Sequence, residues 1–177
     1  MTSPRILLLP GWQNSGPGHW QSLWEAKFGD LRVEQHDWML PLRGDWISRL
    51  EDVVQQQNGP VLLAAHSLGC HLVAAWAAVS PSTAKVQTAL LVAPPDVARA
   101  DLPPQLHRWT QPVLQALPFP STLVASTNDP FSSLDAAARL ATHCGATLYN
   151  IGPHGHINAE SGLGDWPQGR ALLLNPQ

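Results

Sequence analysis

The topology of this chain follows from the stretch Val61-Leu62-Leu63-Ala64-Ala65-His66-Ser67-Leu68-Gly69-Cys70. The apolar run at 61–64 is typical of a buried strand, and the amphipathic run at 70–79 is typical of a helix. Ser67 lies at the junction, where a G-x-S-x-G elbow carries its nucleophile. Ala65 replaces the first glycine of that pattern, and alanine is still small enough to let a strand and a helix approach each other.

The elbow pattern alone is weak, because five residues match unrelated chains by chance. Serine is also a favoured N-cap residue, so the alternative is that Ser67 only caps the following helix. A serine nucleophile needs a general base, a group that orients the base and hydrogen-bond donors for the oxyanion. The rest of the sequence contains candidates for all three.

Short apolar runs alternate with longer helical patterns along the chain. Strands are predicted at 5–9, 31–38, 60–65, 87–93, 121–126 and 146–151, and helices at 20–28, 46–57, 67–79, 105–117, 133–144 and 166–174. Most strand runs are continuously apolar, which is typical of a parallel sheet with helices on both faces. The pattern predicts one α/β domain over residues 1–177, with a doubly wound sheet.

Composition excludes several classes of protein. Hydrophobic residues make up 44% of the chain and charged residues only 13%, which indicates a large buried fraction. The formal net charge is -3 and no lysine or arginine cluster occurs, so we expect no nucleic-acid partner. All apolar stretches are far shorter than the ~20 residues that span a bilayer, so we expect a soluble protein with no membrane partner.

The cysteines and the first residues bear on the compartment. Cys70 and Cys144 are the only cysteines, and neither has a metal-ligand or disulfide-scaffold spacing, so we expect a reducing, cytoplasmic setting. The first apolar run, at 6–9, is shorter than the ~7 to 15 residues of a signal-peptide core, so no export signal is expected.

Polar residues follow the predicted strands at their carboxyl ends, where functional groups gather in such sheets. Asp129 follows the fifth strand and precedes a proline that restricts its backbone, although Asn-Asp-Pro is also a common turn signal. His154 and His156 follow the sixth strand in a glycine-flanked loop, and either is a candidate base. Ser67, Asp129 and a later histidine occur in the Ser…Asp…His order of α/β-hydrolases.

These residue types together predict acyl transfer. The histidine takes the proton of Ser67 and passes it to the leaving group, while Asp129 fixes the tautomer and stabilises the imidazolium. The candidate oxyanion donors are the backbone N–H groups of Leu68 and of Trp12, or otherwise of Gln13. This chemistry requires no cofactor.

Two rival sites are weaker. A metal site would combine His154 and His156 with His19, His66 or His71, but no H-x-x-x-H pair or H-E-x-x-H motif occurs. Cys70 lies inside a predicted helix, where cysteine is usually a small buried hydrophobe rather than a nucleophile.

Five stretches in order carry a resemblance to a known family. They are Pro10-Gly11-Trp12, His19-Trp20-Gln21-Ser22-Leu23-Trp24, Ala65-His66-Ser67-Leu68-Gly69-Cys70, Asn128-Asp129-Pro130 and Gly155-His156-Ile157-Asn158-Ala159-Glu160-Ser161-Gly162. Over nearly its whole length the chain resembles the small serine hydrolases of the retinoblastoma-binding protein nine and YdeN type. The resemblance implies a three-layer α/β-hydrolase fold with a mostly parallel six-stranded sheet, strand order 2-1-3-4-5-6 and no large lid. It also implies Ser67 as nucleophile, Asp129 as acid and His156 as base.

The predicted function is hydrolysis of a small carboxylic ester, or of an amide or thioester, through an acyl-enzyme. Eight tryptophans, several of them near the predicted loops, indicate an apolar acyl pocket, and the alternative is that most of them belong to the core. The residues predicted to contact substrate are Trp12, Gln13, His66, Pro94 and Trp109.

Two other functions remain as alternatives. One is a binding protein that keeps the fold without turnover, and the other is an acyltransferase that uses the same intermediate. Binding of a retinoblastoma-type pocket protein is not expected, because the L-x-C-x-E pattern is absent and the nearest match is Leu68-Gly69-Cys70-His71-Leu72.

Overall fold

The computed structural model describes residues 3–176 and contains one six-stranded sheet. Its strands are β1 (Arg5–Leu9), β2 (Leu31–Arg32), β3 (Val61–His66), β4 (Val86–Val92), β5 (Ser121–Ala125) and β6 (Thr147–Asn150). The order is β2-β1-β3-β4-β5-β6, and all five pairings are parallel. The predicted parallel sheet and its strand order are confirmed.

Helices cover both faces of the sheet. They are α1 (Trp20–Phe28), α2 (Arg43–Gln55), α3 (Leu68–Ala77), α4 (Leu134–Cys144) and α5 (Pro167–Leu174). Alternate residues of β1 face opposite sides of the sheet. Leu7 and Leu9 belong to one buried cluster with side chains of α2, α3 and α4. Ile6 and Leu8 belong to a second cluster with side chains of α1 and α5, so the fold has three layers.

Two predicted elements are wrong in extent. The strand predicted at 31–38 keeps only Leu31–Arg32 in the sheet. Beyond Val33, whose N–H still donates to the sheet, the chain turns outward, and the Asp37 carboxylate accepts hydrogen bonds from two backbone N–H groups in that turn. This segment lies at the edge of the sheet and is rich in polar residues, so little apolar surface holds it against the neighbouring strand.

The helix predicted at 105–117 is also wrong. The structure has a short 3-10 helix at Pro104–Trp109, followed by irregular chain up to β5. Pro112 explains the early end, because proline lacks the N–H of a helical hydrogen bond and its ring clashes with the carbonyl four residues earlier. The connection between β4 and β5 therefore forms a wall of loops instead of a packed helix.

Close approach between β1 and α3 depends on Gly69. A Cβ atom at this position would lie 2.2 Å from the carbonyl oxygen of Leu9, far inside van der Waals contact. The first position of the elbow tolerates Ala65, which is fully buried between its neighbours in β3. Gly69, at the last position of the elbow pattern, is therefore the residue that must be glycine for β1 and α3 to pack this closely.

The helices within residues 3–176 are too short or too polar to cross a lipid bilayer.

Candidate active site

Ser67 occupies a sharp turn between β3 and α3. Its backbone has φ 54° and ψ -125°, in a region that residues other than glycine seldom adopt. The turn is fixed by the Ser67 N–H, which donates to the carbonyl of Val92 at 2.9 Å. The Ser67 side chain makes no capping hydrogen bond to α3, so its hydroxyl is available to other groups.

Three side chains from distant segments meet at the carboxyl edge of the sheet. The Nε2 atom of His156 lies 2.9 Å from the Oγ atom of Ser67. The Nδ1 atom of His156 lies 3.0 and 3.1 Å from the two carboxylate oxygens of Asp129. Since a carboxylate can only accept, Nδ1 carries the ring proton and Nε2 accepts from the serine hydroxyl. The Asp129 side chain is only 3% exposed, which shields its hydrogen bond to His156 from water.

Hydrogen bonds between the loops after β5 and β6 fix the positions of Asp129 and His156 relative to each other. The Asn128 side-chain oxygen accepts from the N–H of Gly155 at 2.7 Å and from the hydroxyl of Ser126 at 2.9 Å. The Ser126 hydroxyl oxygen in turn accepts from the N–H of His154 at 2.9 Å. Side chains of the loop after β5 therefore hold backbone N–H groups of the loop after β6, next to the residues that would carry the chemistry.

His66, the last residue of β3, is hydrogen-bonded to the loop that carries His156. Its Nε2–H donates to the backbone carbonyl of His156 at 2.8 Å, and its ring lies edge-on to the His156 ring at 4.8 Å. Burial lowers the pKa of His66 well below its ordinary value, and the neighbouring His19 and His156 lower it further. His66 is therefore a neutral donor at physiological pH.

The turn after β1 lies directly against the elbow. A Cβ atom on Gly11 would be 3.0 Å from the backbone nitrogen of Leu68 and 2.9 Å from the Cβ atom of Ser67. Within residues 3–176 the N–H groups of Trp12 and Leu68 donate to no other group. The N–H of Gln13, by contrast, donates to the carbonyl of Trp38 at 3.0 Å. Of the two donors considered for this turn, Trp12 is thus the free one.

A cavity of about 950 Å³ opens above Ser67 and His156. Trp12, Gln13 and His66, three of the residues predicted to contact substrate, line it. Pro95, Leu102, Leu106, Pro130 and Phe131 supply apolar lining from the loops after β4 and β5. Asp96, Arg99 and Asp101 line the same side, so apolar and charged side chains are mixed there.

Pro94 and Trp109 do not line this cavity. Pro94 is buried beside Pro95, whose side of the loop faces the opening. Trp109 is 1% exposed and packs against Trp46 with ring centroids 6.1 Å apart. Its indole N–H donates to the carbonyl of Pro41. The Trp109 side chain, which the sequence analysis assigned to the substrate pocket, therefore belongs to the core.

The residues of the two rival sites have other surroundings. Within residues 3–176, no group of three or more histidine, cysteine, aspartate and glutamate side chains is arranged to hold a metal ion. His71 donates from Nε2 to the carbonyl of Pro95 at 2.8 Å, inside the protein. Burial raises the pKa of the Cys70 thiol well above its ordinary value, so this thiol is a poor nucleophile despite its closeness to Ser67.

Two residues near the site were missed as site residues by the sequence predictions. Phe131 packs edge-on against the His156 ring at 4.7 Å, on the side of the cavity that the loops after β4 and β5 line. His19 lines the cavity, and its Nδ1 atom accepts from the N–H of Gln21, which makes it the N-cap of α1. Its position just before a helix start was visible in the sequence, but histidine is not among the usual N-cap residues.

A family model described as Serine hydrolase matches residues 6–175. The chain belongs to the serine hydrolase family. Membership of this family supports a hydrolase activity for the protein. The curated proteins contain no match to this serine hydrolase.

Solved structures resemble this serine hydrolase along almost its entire length. A YdeN-like hydrolase from Pectobacterium atrosepticum is 28% identical with a TM-score of 0.83, and the match covers 97% of this chain and 90% of that one. The ydeN gene product of Bacillus subtilis is 18% identical with a TM-score of 0.75, over 97% of each chain. Carboxylesterase CesB from Bacillus subtilis is 15% identical with a TM-score of 0.63, over 99% of this chain and 85% of that one. The predicted YdeN-type resemblance and α/β-hydrolase fold are confirmed.

Proposed function

We propose that this serine hydrolase cleaves a small carboxylic ester through an acyl-enzyme formed on Ser67, with an amide or a thioester as the alternative substrate class. The observation that carries the proposal is the continuous line of hydrogen bonds from the Ser67 hydroxyl through the His156 ring to the Asp129 carboxylate. Nucleophile, base and orienting acid are within hydrogen-bond distance of one another before any substrate binds.

In the first half-reaction, the Ser67 oxygen attacks the acyl carbon while Nε2 of His156 takes the hydroxyl proton. The tetrahedral intermediate collapses as the bond to the leaving oxygen breaks, and the same Nε2 gives its proton to that oxygen. Asp129 stabilises the imidazolium that exists between these two transfers. In the second half-reaction, water replaces the alcohol, attacks the acyl-serine with His156 as base, and releases a carboxylic acid and free Ser67.

The negative charge on the intermediate oxygen needs preformed donors. The N–H groups of Leu68 and Trp12 support this role, because they lie beside Ser67 and donate to no other group in residues 3–176. Removing one such donor from a serine hydrolase typically costs about 2.7 to 4 kcal/mol of transition-state stabilisation. The strained backbone of Ser67 helps to hold Leu68 in position.

The cavity supports a small acyl substrate. Its volume of about 950 Å³ lies in the range of small-molecule sites. Leu102, Leu106 and Phe131 offer apolar contacts on one side, and Trp12 and Gln13 lie at the turn that would hold the oxyanion. We assign Trp12, Gln13 and His66 to the substrate-facing lining.

A fluorophosphonate probe with Ser67→Ala tests the nucleophile. Wild type should be labelled and Ser67→Ala should not, while Ser132→Ala serves as a matched control because the Ser132 hydroxyl bonds only to its neighbour's carbonyl. A series of nitrophenyl esters of graded acyl length then reports the depth of the pocket. Labelling that survives in Ser67→Ala would remove this residue from the proposal.

Probe labelling together with analysis of the reaction products separates the alternative functions. An acyltransferase would give new esters or amides when alcohols or amines are added, whereas a hydrolase gives only the acid. A binding protein without turnover would show neither labelling nor product. The proposed partner is accordingly a small acyl substrate, and the net charge of -3 offers no attraction to nucleic acid or to a membrane surface.

We also propose a cytoplasmic setting. Cys70 and Cys144 are both free and buried, as expected for a protein kept in a reducing compartment. Fractionation of the native cells tests this proposal, and recovery from an extracellular or periplasmic fraction would contradict it.

A further inference from the structure

The backbone is in an unfavourable conformation directly after His156. Ile157 has φ 49°, in the left-handed region, where a side chain that is branched at Cβ is crowded by the backbone. Its side chain is fully buried in the cluster that β1 shares with α1 and α5. Backbone strain of this kind persists only where surrounding contacts enforce it, and such strain is often found at functional sites. The contacts that hold Ile157 therefore bear on the position of the His156 ring.

Two ring N–H groups hold consecutive carbonyls of this segment. The Nε2–H of His66 donates to the carbonyl of His156 at 2.8 Å. The indole N–H of Trp20 donates to the carbonyl of Ile157 at 3.1 Å, although these two residues are 137 positions apart in the chain. The Ile157 N–H donates to the carbonyl of His154 at 3.2 Å, which closes a turn within the loop. The peptide groups on both sides of Ile157 are thus held by hydrogen bonds.

Trp20 is a donor with a fixed direction. It is the first residue of α1, is 1% exposed and is not part of the cavity lining. Its ring packs edge-on against Trp24 at 4.8 Å and against Trp166 at 5.4 Å, and the His66 ring lies 6.3 Å away. Because these rings surround it, the Trp20 side chain cannot follow the loop if the loop moves. Its effect on His156 passes through the backbone alone.

Removal of the indole donor would leave the buried carbonyl of Ile157 without its hydrogen bond, which costs free energy. The strain at Ile157 acts in the same direction, because rotation toward an ordinary φ relieves it. Both effects favour a shift of the segment that carries His156. Such a shift changes the 2.9 Å distance from Nε2 of His156 to Oγ of Ser67.

We propose that Trp20 is a positioning residue, whose indole N–H holds Ile157 in the left-handed conformation and so fixes the His156 ring. In this position the ring reaches both Ser67 and Asp129. The inference rests on the proposed function for the role of His156 as base. Trp20 touches neither substrate nor the reacting atoms, so its loss affects the chemical steps and leaves substrate binding unchanged.

Trp20→Phe tests this role, with Trp24→Phe as its matched control. Both tryptophans are buried in α1, and each indole N–H donates to one backbone carbonyl, that of Ile157 for Trp20 and that of Asp165 for Trp24. Trp20→Phe should lower kcat for a nitrophenyl ester by about tenfold, because misplacement of a base strongly lowers the rate. KM should stay unchanged, since His156 is the base in both half-reactions and the two slow together. Trp24→Phe should keep the kcat of wild type.

A second variant removes the donor and keeps the shape of the ring. In Trp20→3-benzothienylalanine a sulfur atom replaces the indole N–H, so the packing against the neighbouring rings is retained. This variant should fold as wild type does and still lose about tenfold in kcat. A kcat equal to that of wild type would overturn the proposal, because any loss in Trp20→Phe would then come from missing ring bulk.

A measurement without turnover separates this role from the proposed function. In protein with ¹⁵N-labelled histidine, the Nδ1–H of His156, bonded to Asp129, should give a low-field proton resonance, assigned by its loss in His156→Gln. It should broaden or move upfield in both Trp20 variants and stay unchanged in Trp24→Phe. That selective change in a protein that hydrolyses no ester would keep the positioning role and reject the proposed function. The same resonance in wild type and in both Trp20 variants would overturn the positioning role.

Discussion

The Nε2–H of His66 donates to the backbone carbonyl of His156 at 2.8 Å, although the two residues are 90 positions apart in the chain. His66 is the last residue of β3 and immediately precedes Ser67, so one rigid element bears both the serine and the tether of the histidine loop. The distance from Ser67 to the His156 ring is thus set by the sheet rather than by a flexible loop.

His66→Phe should lower kcat by about 10 to 100-fold with little change in KM, because a small displacement of the proposed base, His156, strongly lowers the reaction rate. The variant keeps a ring of similar size but leaves the His156 carbonyl without its donor. His66→Gln should recover much of the loss, since its amide N–H reaches near the position of Nε2. If His66 acted only through substrate contact, KM would rise instead and glutamine would give no recovery.

Asp129→Asn should reduce kcat by about 10⁴-fold, because the amide favours the wrong tautomer of His156 while the geometry is kept. Asp96→Asn is a matched control, since Asp96 lines the same cavity but its carboxylate accepts from the N–H of Ala98. Steady-state kinetics and the melting temperature of both variants should be measured together. Comparable activities for the two variants would exclude Asp129 from the proposed mechanism.

Gly69→Ala should destabilise the protein by about 1 to 3 kcal/mol or more, because the added Cβ atom overlaps the backbone of Leu9. It should also lower activity, since α3 and β1 together position Ser67 and the turn after β1. Gly44→Ala is the control: Gly44 lies in α2, no atom comes within 4 Å of an added Cβ, and alanine should stabilise the helix. Urea unfolding of the two variants should therefore give changes of opposite sign.

Acid should destabilise the protein through its buried histidines. Burial is the main cause that lowers the pKa values of His19, His66 and His71 in the folded state. Between the unfolded value of 6.5 and the lowered folded values, the unfolded chain binds more protons, so the free energy of unfolding falls as the pH falls. Each such histidine contributes up to about 1.4 kcal/mol per pH unit in this window, and its contribution is complete above it.

Urea unfolding at pH 7.5, 6 and 5 measures this effect before most carboxylates titrate. His71→Gln keeps a side-chain donor for the carbonyl of Pro95 but cannot be protonated, so it should show a shallower dependence on pH than wild type. A free energy of unfolding that stays constant from pH 7.5 to 5 would contradict the buried, neutral state of these histidines.

Most of the sheet could be predicted because its strands are short, apolar and bounded by turn residues. A run such as Val61–His66 is buried on both faces, and few other structures accommodate it. The two errors of extent have causes in the local sequence. The edge strand β2 is short because polar residues follow Arg32, and the segment after Trp109 is irregular because Pro112 interrupts it.

The chain order alone specified Ser67, Asp129 and a later histidine, either His154 or His156, as a candidate group, since parallel strands deliver their carboxyl ends to the same edge. The family resemblance then selected His156. Their distances and the donor from His66 depend on contacts between segments that lie far apart in the chain. Local sequence propensity predicts where a turn occurs. Packing between the layers determines the position of each side-chain atom to within about an ångström. For this reason the type of chemistry could be proposed from residue patterns, but the hydrogen bonds from Ser67 to Asp129 and the lining of the cavity became visible only in the folded protein.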